Sequence, residues 1–346
     1  MKIIIYEPSV LFWGKATGFH GYVISFIKLY ADSIYIKDYS FKRNIKYRLR
    51  LWQLGIRRPV KILSKLPVAE ESVVIGFNIP ASDDSELVKF KGKKYFHLMD
   101  YYIDVKRNLQ FLKQHNVDYV IGHTKMDKYC PFFYDYYDTY IGKTIGLPFG
   151  YQGRFTCNVN FADRINKAVG LGSINPINDP LLKDTAKQEL VDYFRDVEFM
   201  HPVRRYVQLH EEEFADTIDA RFPSPEKQKD FSYDAVAMLN KYRMFINDAG
   251  ISNFPPARTF EGIACGCVMV AEDSDIYKEL GFVPDINYIA YAKGDYEQMK
   301  SKIAYYQLHY DKLFAMHVKS LELAQQFPHD KIAEKLYAYI IDNKGD

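Results

Sequence analysis

The chain has 346 residues, which is too long for one typical domain and fits two domains of roughly 150 to 200 residues each. Hydrophobic residues make up 48% of it and charged residues 26%, a balance typical of soluble globular proteins with substantial cores. The formal net charge of +2 excludes a polyelectrolyte and demands no acidic partner.

The cysteines and the N-terminus indicate the compartment. Cys130, Cys157, Cys265 and Cys267 have a spacing that fits no zinc ligand set, so we expect reduced, packed thiols. The opening run "MKIIIYEPSV" is too short for a signal peptide and meets Glu7 at once. No stretch approaches the ~18 apolar residues of a membrane span. The sequence therefore predicts a cytoplasmic protein.

Short apolar runs alternate with amphipathic stretches in the N-terminal half. The amphipathic patterns predict helices over 21–33 and 104–116, with apolar positions mainly on one face. The apolar runs predict buried strands over 2–6, 33–38, 72–77, 94–99, 118–123 and 144–150. Such alternation of strand and helix is typical of a parallel sheet with helices on both sides.

A second series of the same kind follows residue 167. It predicts a helix over 185–197, and residues 295–344 are helical by pattern, with a break at Pro328. The predicted strands are 168–173, 242–248, 267–273 and 287–292. We therefore expect Rossmann-like domains over residues 1–160 and 161–325, followed by a C-terminal helix over 326–346.

Ligands of open α/β sheets bind beyond the carboxyl ends of the strands, and there the segment "SNFPPARTFEGIACG" stands out. Its two prolines suit the first turn of a helix, predicted over 257–264, and Gly266 ends that helix. Arg258 and Glu261 lie three residues apart and share a helix face. Either they form an exposed ion pair, or the two side chains bind a ligand. Because Arg258 opposes the helix dipole, its position hints at an anionic ligand.

The longer segment "YRMFINDAGISNFPPARTFEGIACGCVMVAED" resembles the nucleotide-sugar-binding half of GT-B glycosyltransferases, most of all the spore-maturation-protein-like (family 1/4-like) branch. The resemblance implies an α/β fold of GT-B architecture, with two Rossmann-like domains facing a cleft and a helical C-terminus. It also implies that Glu261 binds the ribose hydroxyls of the nucleotide and that Arg258 lies close to the donor's diphosphate. Many retaining members carry a glutamate eight positions before the helix glutamate, where this chain has Asn253. That difference leaves the donor-sugar contact and the stereochemical outcome open.

Two further segments are candidates for donor binding. "VGLGSINPI" combines a strand, a glycine-rich turn and a hydroxyl, which makes either a phosphate cradle or an ordinary turn. The resemblance carries Gly172 and Ser173 over as donor contacts. In "FMHPVRRYVQ", Arg204 and Arg205 are either a second phosphate contact or a solvated pair on a helix face. A phosphate contact suits an enzyme that neutralises a departing nucleoside diphosphate without a metal.

The N-terminal half holds the candidates for the acceptor side. "WGKATGFHGY" reads as a glycine-rich loop, with Gly18 and Gly21, that leads into a helix. His20 is a candidate general base because the pKa of histidine lies near neutrality. Asp100, at the carboxyl end of a strand, is the rival base, and His123 lies at a similar strand end. For each of them a purely structural role is the alternative.

No motif in the sequence predicts a metal site or a cofactor. Asp83 and Asp84 are adjacent and read as loop charges, not as part of a metal-binding triad. We therefore expect a metal-independent enzyme whose nucleotide-sugar is a substrate.

Residues 42–65 contain nine Lys or Arg and no acidic residue, with Tyr47, Leu51 and Trp52 among them and Phe41 just before. A basic helix with aromatic anchors is typical of proteins that lie on an anionic membrane surface. The same charge can follow a nucleic-acid backbone, or it can be a solvated face. Among the functional interpretations we favour the membrane, because it suits an enzyme that glycosylates a lipid-linked acceptor.

The sequence thus predicts a hexosyltransferase-like enzyme that moves a sugar from a nucleotide-sugar to an acceptor hydroxyl. The expected setting is bacterial surface-glycan assembly, of polysaccharide or lipid-linked oligosaccharide, in the cytoplasm at the inner face of the membrane. A phage-type DNA glucosyltransferase is the main alternative. A catalytically inactive sugar-nucleotide-binding partner and a sugar-nucleotide epimerase are the others.

Overall fold

Runs of branched and aromatic residues form the strands of two separate parallel sheets. The computed structural model describes residues 1–13, 20–68, 71–80, 83–177, 187–222 and 233–343. Within these ranges the two sheets have seven and five strands.

The first sheet is built from the N-terminal part of the chain. Its strands are β1 (Lys2–Tyr6), β2 (Ser33–Tyr35), β3 (Lys61–Leu63), β4 (Ser72–Gly76), β5 (Lys94–His97), β6 (Tyr119–Gly122) and β7 (Thr144–Gly146). They lie in the order β3-β2-β1-β4-β5-β6-β7, and every pair is parallel. Ile4 in β1 pairs with Ser33 on one side and Val74 on the other. The central strands are buried almost throughout, as expected for a parallel sheet covered on both faces.

Helices connect these strands. They are α1 (Gly21–Tyr30), α2 (Phe41–Gln53), α3 (Ser85–Lys89), α4 (Val105–Gln114), α5 (Met126–Tyr129) and α6 (Pro131–Tyr136), with 3-10 turns at Ser9–Phe12 and Asp138–Tyr140. Side chains fix several of the starts. Ser40 Oγ accepts a hydrogen bond from Arg43 N at the start of α2, and Asp84 Oδ1 accepts one from Glu86 N at the start of α3. Asp84 is buried and also accepts from the Tyr6 hydroxyl, so it is not the loop charge that the sequence suggested.

The second sheet has the order β12-β11-β10-β8-β9 and is also parallel throughout. Its strands are β8 (Ile165–Leu171), β9 (Ile218–Arg221), β10 (Tyr242–Ile246), β11 (Val268–Glu272) and β12 (Ile289–Tyr291). The helices of this part are α7 (Gln188–Tyr193), α8 (Pro202–Leu209), α9 (Glu211–Phe214), α10 (Ala235–Lys241), α11 (Ala257–Ala264), α12 (Asp275–Glu279), α13 (Tyr296–Leu308) and α14 (Tyr310–Ala324), with a 3-10 turn at Phe161–Asp163. Met244 and Val268 from the strands and Ile303 and Leu313 from the helices belong to one buried apolar cluster.

The chain divides into two compact units. Residues 1–149, 187–189 and 329–343 form the first unit, and the other described residues between 150 and 328 form the second. The last helix, α15 (His329–Asp342), therefore belongs to the first unit, where it packs against α1. The Tyr337 ring stacks on Tyr30 with 4.2 Å between ring centroids.

The structure confirms the predicted fold class of α/β sheets followed by helices at the C-terminus. Each predicted strand is present, although most end one to four residues earlier than expected. The sequence missed β3 and β9, one edge strand of each sheet, because these two short strands are only partly buried and lack a continuous apolar run. The expectation of packed thiols holds for Cys130, Cys265 and Cys267 but is wrong for Cys157, which is exposed.

Among the residues that the structure describes, no helix has the length and apolar content needed to cross a bilayer.

The position of α15 makes a testable prediction about the first unit. Leu336 in α15 is fully buried, so Leu336→Ala should cost about 2 to 5 kcal/mol of unfolding free energy. The chain has two tryptophans, Trp13 and Trp52, and both lie in the first unit. Tryptophan fluorescence during urea unfolding should therefore show a lower midpoint for this variant.

Glu334→Ala is the matched control, because Glu334 lies on the same helix in an exposed ion pair with Lys331. It should leave the midpoint almost unchanged. If Leu336→Ala leaves the midpoint of the tryptophan fluorescence transition unchanged, α15 does not stabilise the first unit.

Candidate functional site

The strand order of the second sheet marks one position for a ligand. Counted along the chain, the order β12-β11-β10-β8-β9 reverses direction between β8 and β10. Ligands of open α/β sheets bind outside the carboxyl ends of the strands at such a switch point. β8 ends at Leu171 and leads into Gly172 and Ser173, and β10 ends at Ile246 and leads into Asn247 and Asp248.

Gly172 and Arg204 meet at the end of β8. Gly172 has φ +123°, a conformation that favours glycine, and a Cβ there would lie 2.6 Å from Arg204 Nη1. Arg204 Nη1 donates a hydrogen bond of 3.0 Å to the Ser173 carbonyl oxygen. The turn therefore lacks a side chain at the point where the guanidinium crosses it. The structure brings Gly172, Ser173 and Arg204 together, whereas Arg205 packs over the Phe199 ring and donates to Gln208.

Asp248 holds the start of α8 against the end of β10. Its Oδ2 accepts a hydrogen bond of 3.2 Å from Arg204 N, and its Oδ1 accepts one of 2.8 Å from Gly250 N. Burial raises the pKa of Asp248, and the neighbouring Arg204 opposes that rise. Burial likewise lowers the pKa of Arg204, against the effect of Asp248, although a guanidinium remains charged at any working pH. The sequence reasoning did not select Asp248, although an acidic residue directly after a buried strand is a usable signal.

α11 begins as the sequence predicts, at Ala257 after Pro256, and ends at Ala264. None of the side chains that the structure describes caps its first turn. Its packing is close, because a Cβ on Gly262 would collide with the Phe245 ring of β10. Asn247 Nδ2 also donates to Thr259 Oγ1 at 2.9 Å, which ties the end of β10 to the helix.

Arg258 and Glu261 are neither exposed nor fully paired. Arg258 Nε lies 3.3 Å from Glu261 Oε2, with side-chain exposures of 18% and 10%. Arg258 Nη2 donates to the Tyr233 hydroxyl at 3.1 Å. Burial raises the pKa of Glu261, and the charges of Arg258 and then Arg154 act against that rise. The interpretation as a solvated surface pair is therefore wrong, because both groups are largely removed from water.

Several buried nitrogen atoms of this cluster have no hydrogen-bond partner among the described residues. They are Arg204 Nε, Arg258 Nε and Nη1, and His201 Nδ1. The two guanidinium groups are close enough for the charge of Arg258 to lower the pKa of Arg204. A buried, charge-bearing donor without an acceptor is costly, so this arrangement favours an anion that accepts from both arginines.

Asn253 lies in the turn between β10 and α11. Its φ is +50°, and its backbone N–H donates to the Gly250 carbonyl oxygen at 3.2 Å. Asparagine tolerates this left-handed conformation better than most side chains. The backbone of this turn therefore supplies a physical reason for asparagine at this position.

The first sheet has its own switch point, between β1 and β4. Gly18 lies outside the described residues. His20 directly precedes α1, and Gly21 is its first residue. A Cβ at Gly21 would collide with the His329 ring, so this glycine is required for packing against α15.

Four histidines come together in the first unit: His20, His97, His123 and His329. The His123 ring centroid lies 4.8 Å from that of His97 and 6.4 Å from that of His20, and Tyr22 OH lies 2.8 Å from His97 Nδ1. Burial lowers the pKa of His20 and of His329 to about 4, and that of His97 to about 3. Burial also holds the pKa of His123 well below its usual range. The sequence-based expectation that His20 titrates near neutrality is therefore wrong, and the cluster is uncharged at neutral pH.

Asp100 follows β5 and differs from this cluster. It is an exposed residue, but the surrounding protein raises the pKa of its carboxyl group, with the Tyr102 hydroxyl acting in the opposite direction. That hydroxyl donates to Asp100 Oδ1 at 3.2 Å. A higher pKa makes the carboxylate a stronger base than an ordinary aspartate.

Groups of three or more His, Cys, Asp or Glu that could hold a metal ion do not occur within the described ranges.

The chain has two α/β units, each with a sheet of parallel strands and polar groups at its switch point, and a helical C-terminus. This is the GT-B architecture of glycosyltransferases. Solved structures of this class match the whole chain. HepE from Anabaena in complex with UDP is 13% identical, covers 99% of this chain and 100% of that chain, and has a TM-score of 0.54. Its complex with UDP-glucose gives 14% identity, the same coverage and a TM-score of 0.53. A glycosyltransferase from Rickettsia africae ESF-5 is 11% identical over 99% of each chain, with a TM-score of 0.51.

The sequence family adds a second finding. Residues 195–334 match the family described as glycosyl transferase-like, and this range includes α8, α11 and the residues between them. No curated protein sequence matches the chain. The resemblance to GT-B glycosyltransferases is thus confirmed, whereas the spore-maturation-protein-like branch stays a prediction.

The buried histidines predict a pH dependence of stability. A histidine whose folded pKa is lowered to about 4 binds fewer protons in the folded than in the unfolded state, where its pKa is about 6.5. Its stabilisation is therefore present above about pH 6.5 and is lost as pH falls towards 4, by about 1.4 kcal/mol per pH unit for each histidine. Urea unfolding followed by tryptophan fluorescence should show the first unit weakening from about pH 7 to 5.

His329→Gln should reduce the slope of the unfolding free energy against pH by the amount that one proton contributes, about 1.4 kcal/mol per pH unit, because glutamine does not titrate. Leu336→Ala is the control, since it should lower the unfolding free energy equally at every pH. A free energy that is flat over this range, or an unchanged slope in His329→Gln, would contradict the neutral cluster.

Proposed function

We propose that this protein is a glycosyltransferase that moves a sugar from a nucleotide-sugar donor to an acceptor hydroxyl. The observation that carries the proposal is the set of buried guanidinium N–H groups of Arg204 and Arg258 that have no acceptor within the part of the chain that the structure describes. They lie where a strand, a glycine turn and an uncapped helix start converge, which is a favourable place for phosphate groups.

The phosphates, the ribose and the sugar of the donor each have a candidate partner in the second unit. Arg204 and Arg258 match the planar, bidentate geometry of phosphate oxygens. Gly172 and Ser173 border the same guanidinium. Glu261 offers a carboxylate that accepts from both hydroxyls of a ribose, and Asn253 is the candidate near the donor sugar. UDP and UDP-glucose, which are bound to HepE in its structures, are the first nucleotides to test.

The two arginines also suit the chemistry of the leaving group. When the glycosidic bond to the donor breaks, negative charge grows on the nucleoside diphosphate. Two permanently charged guanidinium groups in a buried site stabilise that charge without needing to move. We therefore propose a metal-independent reaction, with the nucleotide-sugar as substrate and no cofactor.

The first unit is proposed to bind the acceptor, with Gly21 and His123 on that side. Asp100 and His20 are the candidate bases. We favour Asp100, because desolvation by the surrounding protein raises the pKa of its carboxyl group and so makes it a stronger base than an ordinary aspartate, whereas burial lowers the pKa of His20 to about 4 and makes its imidazole a weaker base. The proposed setting is cytoplasmic assembly of a bacterial surface polysaccharide or lipid-linked oligosaccharide at the inner face of the membrane.

Nucleotide binding tests the donor site directly. UDP at 100 times its dissociation constant should stabilise the folded state by about 2.7 kcal/mol, which a thermal-shift titration measures. Glu261→Ala removes an acceptor of two hydroxyl hydrogen bonds and should weaken UDP binding roughly tenfold or more. Glu322→Ala is the control, because Glu322 forms an exposed ion pair with Lys319 on α14.

Stabilisation by UDP that is equal in Glu261→Ala and in the wild type would contradict the assignment of Glu261. No response to any nucleoside diphosphate would contradict the proposed donor site. Binding of UDP-sugars without release of UDP, over a panel of glycan and lipid-linked acceptors, would favour the inactive binding partner over the enzyme.

The Gly172 turn provides an independent test of the same site. In Gly172→Ala the new methyl group would lie 2.6 Å from Arg204 Nη1, so the guanidinium must move. We expect a loss of UDP affinity of about tenfold, similar to the loss of one charged hydrogen bond. The measurement is a UDP titration by calorimetry.

Gly294→Ala is the matched control in the same unit. Gly294 also has a positive φ, +75°, but a Cβ there meets nothing within 4 Å. It should cost stability through backbone strain and leave UDP affinity unchanged. Equal UDP affinity in Gly172→Ala and in the wild type would show that Arg204 does not bind the nucleotide in this position.

A further inference from the structure

Helix α2 has two apolar sides, and only one of them faces the protein. Tyr47 and Leu51 are buried against the first unit. On the other side are four large apolar residues that are exposed: Phe41 by 77%, Ile45 by 41%, Leu49 by 56% and Trp52 by 64%. Folding of this chain alone does not remove these side chains from water.

The exposed residues form one continuous stripe. With about 100° of rotation per residue, Phe41, Ile45, Leu49 and Trp52 fall within an arc of about 80° along three turns. Tyr47 and Leu51 lie on a separate arc, about 140° away from the centre of the stripe. The spacing is that of a second amphipathic face, not of scattered surface residues.

Cations border this stripe on both sides. Lys42, Lys46 and Arg48 are exposed, and on the helix projection Arg48 lies on one side of the stripe, with Lys42 and Lys46 on the other. Arg57, just after the helix, lies over the Trp52 ring at 5.1 Å. No acidic residue occurs between residues 42 and 65.

Two other arginines of α2 point back to the protein. Arg43 forms an ion pair with Glu7 at the end of β1, and Arg50 Nε donates to the Leu11 carbonyl oxygen at 2.6 Å. The Phe12 ring packs edge-on against Tyr47 with 4.9 Å between centroids. These contacts fix α2 on the loop that follows β1, at the switch point of the first sheet.

We propose that this stripe docks α2 on the surface of a bilayer that contains anionic lipids, with the helix lying in the plane of the interface. Phe41, Ile45, Leu49 and Trp52 enter the region between headgroups and acyl chains, and the bordering cations contact lipid phosphates. The docking stands independently of the proposed transferase activity. Only its consequence rests on that proposal: the loop after β1 is then held beside the membrane, where a lipid-linked acceptor resides.

The arrangement of charges favours an anionic membrane over a nucleic acid and over a second copy of the chain. A nucleic-acid backbone is bound by cations at the centre of a contact, whereas here the centre is apolar and the cations are at its borders. A second copy of the chain, packed stripe to stripe, would bring two sets of cations together with no acidic residue between them, which is unfavourable. An anionic membrane satisfies both the apolar stripe and the bordering charge.

Vesicle binding tests the proposal. The full-length protein is sedimented with vesicles of phosphatidylglycerol and phosphatidylcholine, and with vesicles of phosphatidylcholine alone. We expect binding to the first that weakens in high salt, and little binding to the second. Lys42→Gln, Lys46→Gln and Arg48→Gln together should lower the partition coefficient roughly a hundredfold, because each cation near the surface contributes about fivefold.

A double variant and the fluorescence of Trp52 test the apolar stripe separately from the cations. Phe41→Ser with Ile45→Ser should lower the partition coefficient about tenfold or more, since the buried apolar area sets interfacial affinity. In a Trp13→Phe background, the emission of Trp52 reports on the stripe alone, and it should shift to the blue when anionic vesicles are added.

Matched controls lie elsewhere on the surface. Leu308→Ser with Ile286→Ser removes two other exposed apolar residues, and Lys89→Gln, Lys91→Gln and Lys113→Gln remove three other exposed cations. Neither set should change vesicle binding by more than about threefold, and UDP stabilisation should be the same in the α2 variants as in the wild type. The UDP measurement separates failure of the docking surface from failure of the donor site.

The proposal is overturned by equal binding to neutral and anionic vesicles, by an unshifted Trp52 emission, or by controls that weaken binding as much as the α2 variants do. Salt-sensitive binding to duplex DNA that exceeds vesicle binding and is lost in the lysine and arginine variant would replace the membrane with nucleic acid. A dimer that is disrupted by Phe41→Ser with Ile45→Ser, without vesicle binding, would assign the stripe to a second copy.

Discussion

The second unit is organised around two buried guanidinium groups that the acceptors in its described residues satisfy only in part. Arg204 and Arg258 retain buried N–H groups with no partner among the described residues. Removing such donors from water costs free energy, and the neighbouring structure holds them in place despite that cost. Asp248 fixes the start of α8, the absent side chain of Gly172 leaves room for Arg204, and Gly262 lets α11 pack closely on Phe245. Pre-organised cations of this kind are most useful where negative charge appears during a reaction.

The polar clusters of the two units differ in kind. That of the second unit contains the charged pairs Arg204 with Asp248 and Arg258 with Glu261, whereas that of the first consists of four histidines that are neutral at pH 7. Neutral imidazoles accept and donate hydrogen bonds without attracting a diphosphate. The proposed division between a donor unit and an acceptor unit is therefore supported by electrostatics as well as by chain order.

Sequence reasoning predicted most of the fold, because buried parallel strands carry continuous apolar runs and α11 carries a proline start and a glycine end. It missed the edge strands β3 and β9, whose residues are half exposed. At the site it selected Gly172, Ser173, Arg204, Arg258 and Glu261, which lie around one point. It did not select Asp248, Tyr233 or His97, because each has a hydrogen-bond partner 25 to 75 residues away in sequence that only the folded chain brings close. The pKa of His20 was unpredictable for the same reason, since burial sets it.

The ion pair of Arg258 and Glu261 suits both a structural role and the proposed binding of the donor. Without a ligand, each charge is the other's nearest compensation, at 3.3 Å, yet Nε of Arg258 lacks hydrogen-bond geometry towards the carboxylate. A pair that is already well bonded would have to break before it could bind anything. A pair held close but poorly bonded loses little when its two charges take new partners, such as the phosphate and the ribose hydroxyls of the proposed donor. The imperfect ion pair therefore pre-organises the proposed donor site while keeping its charges available.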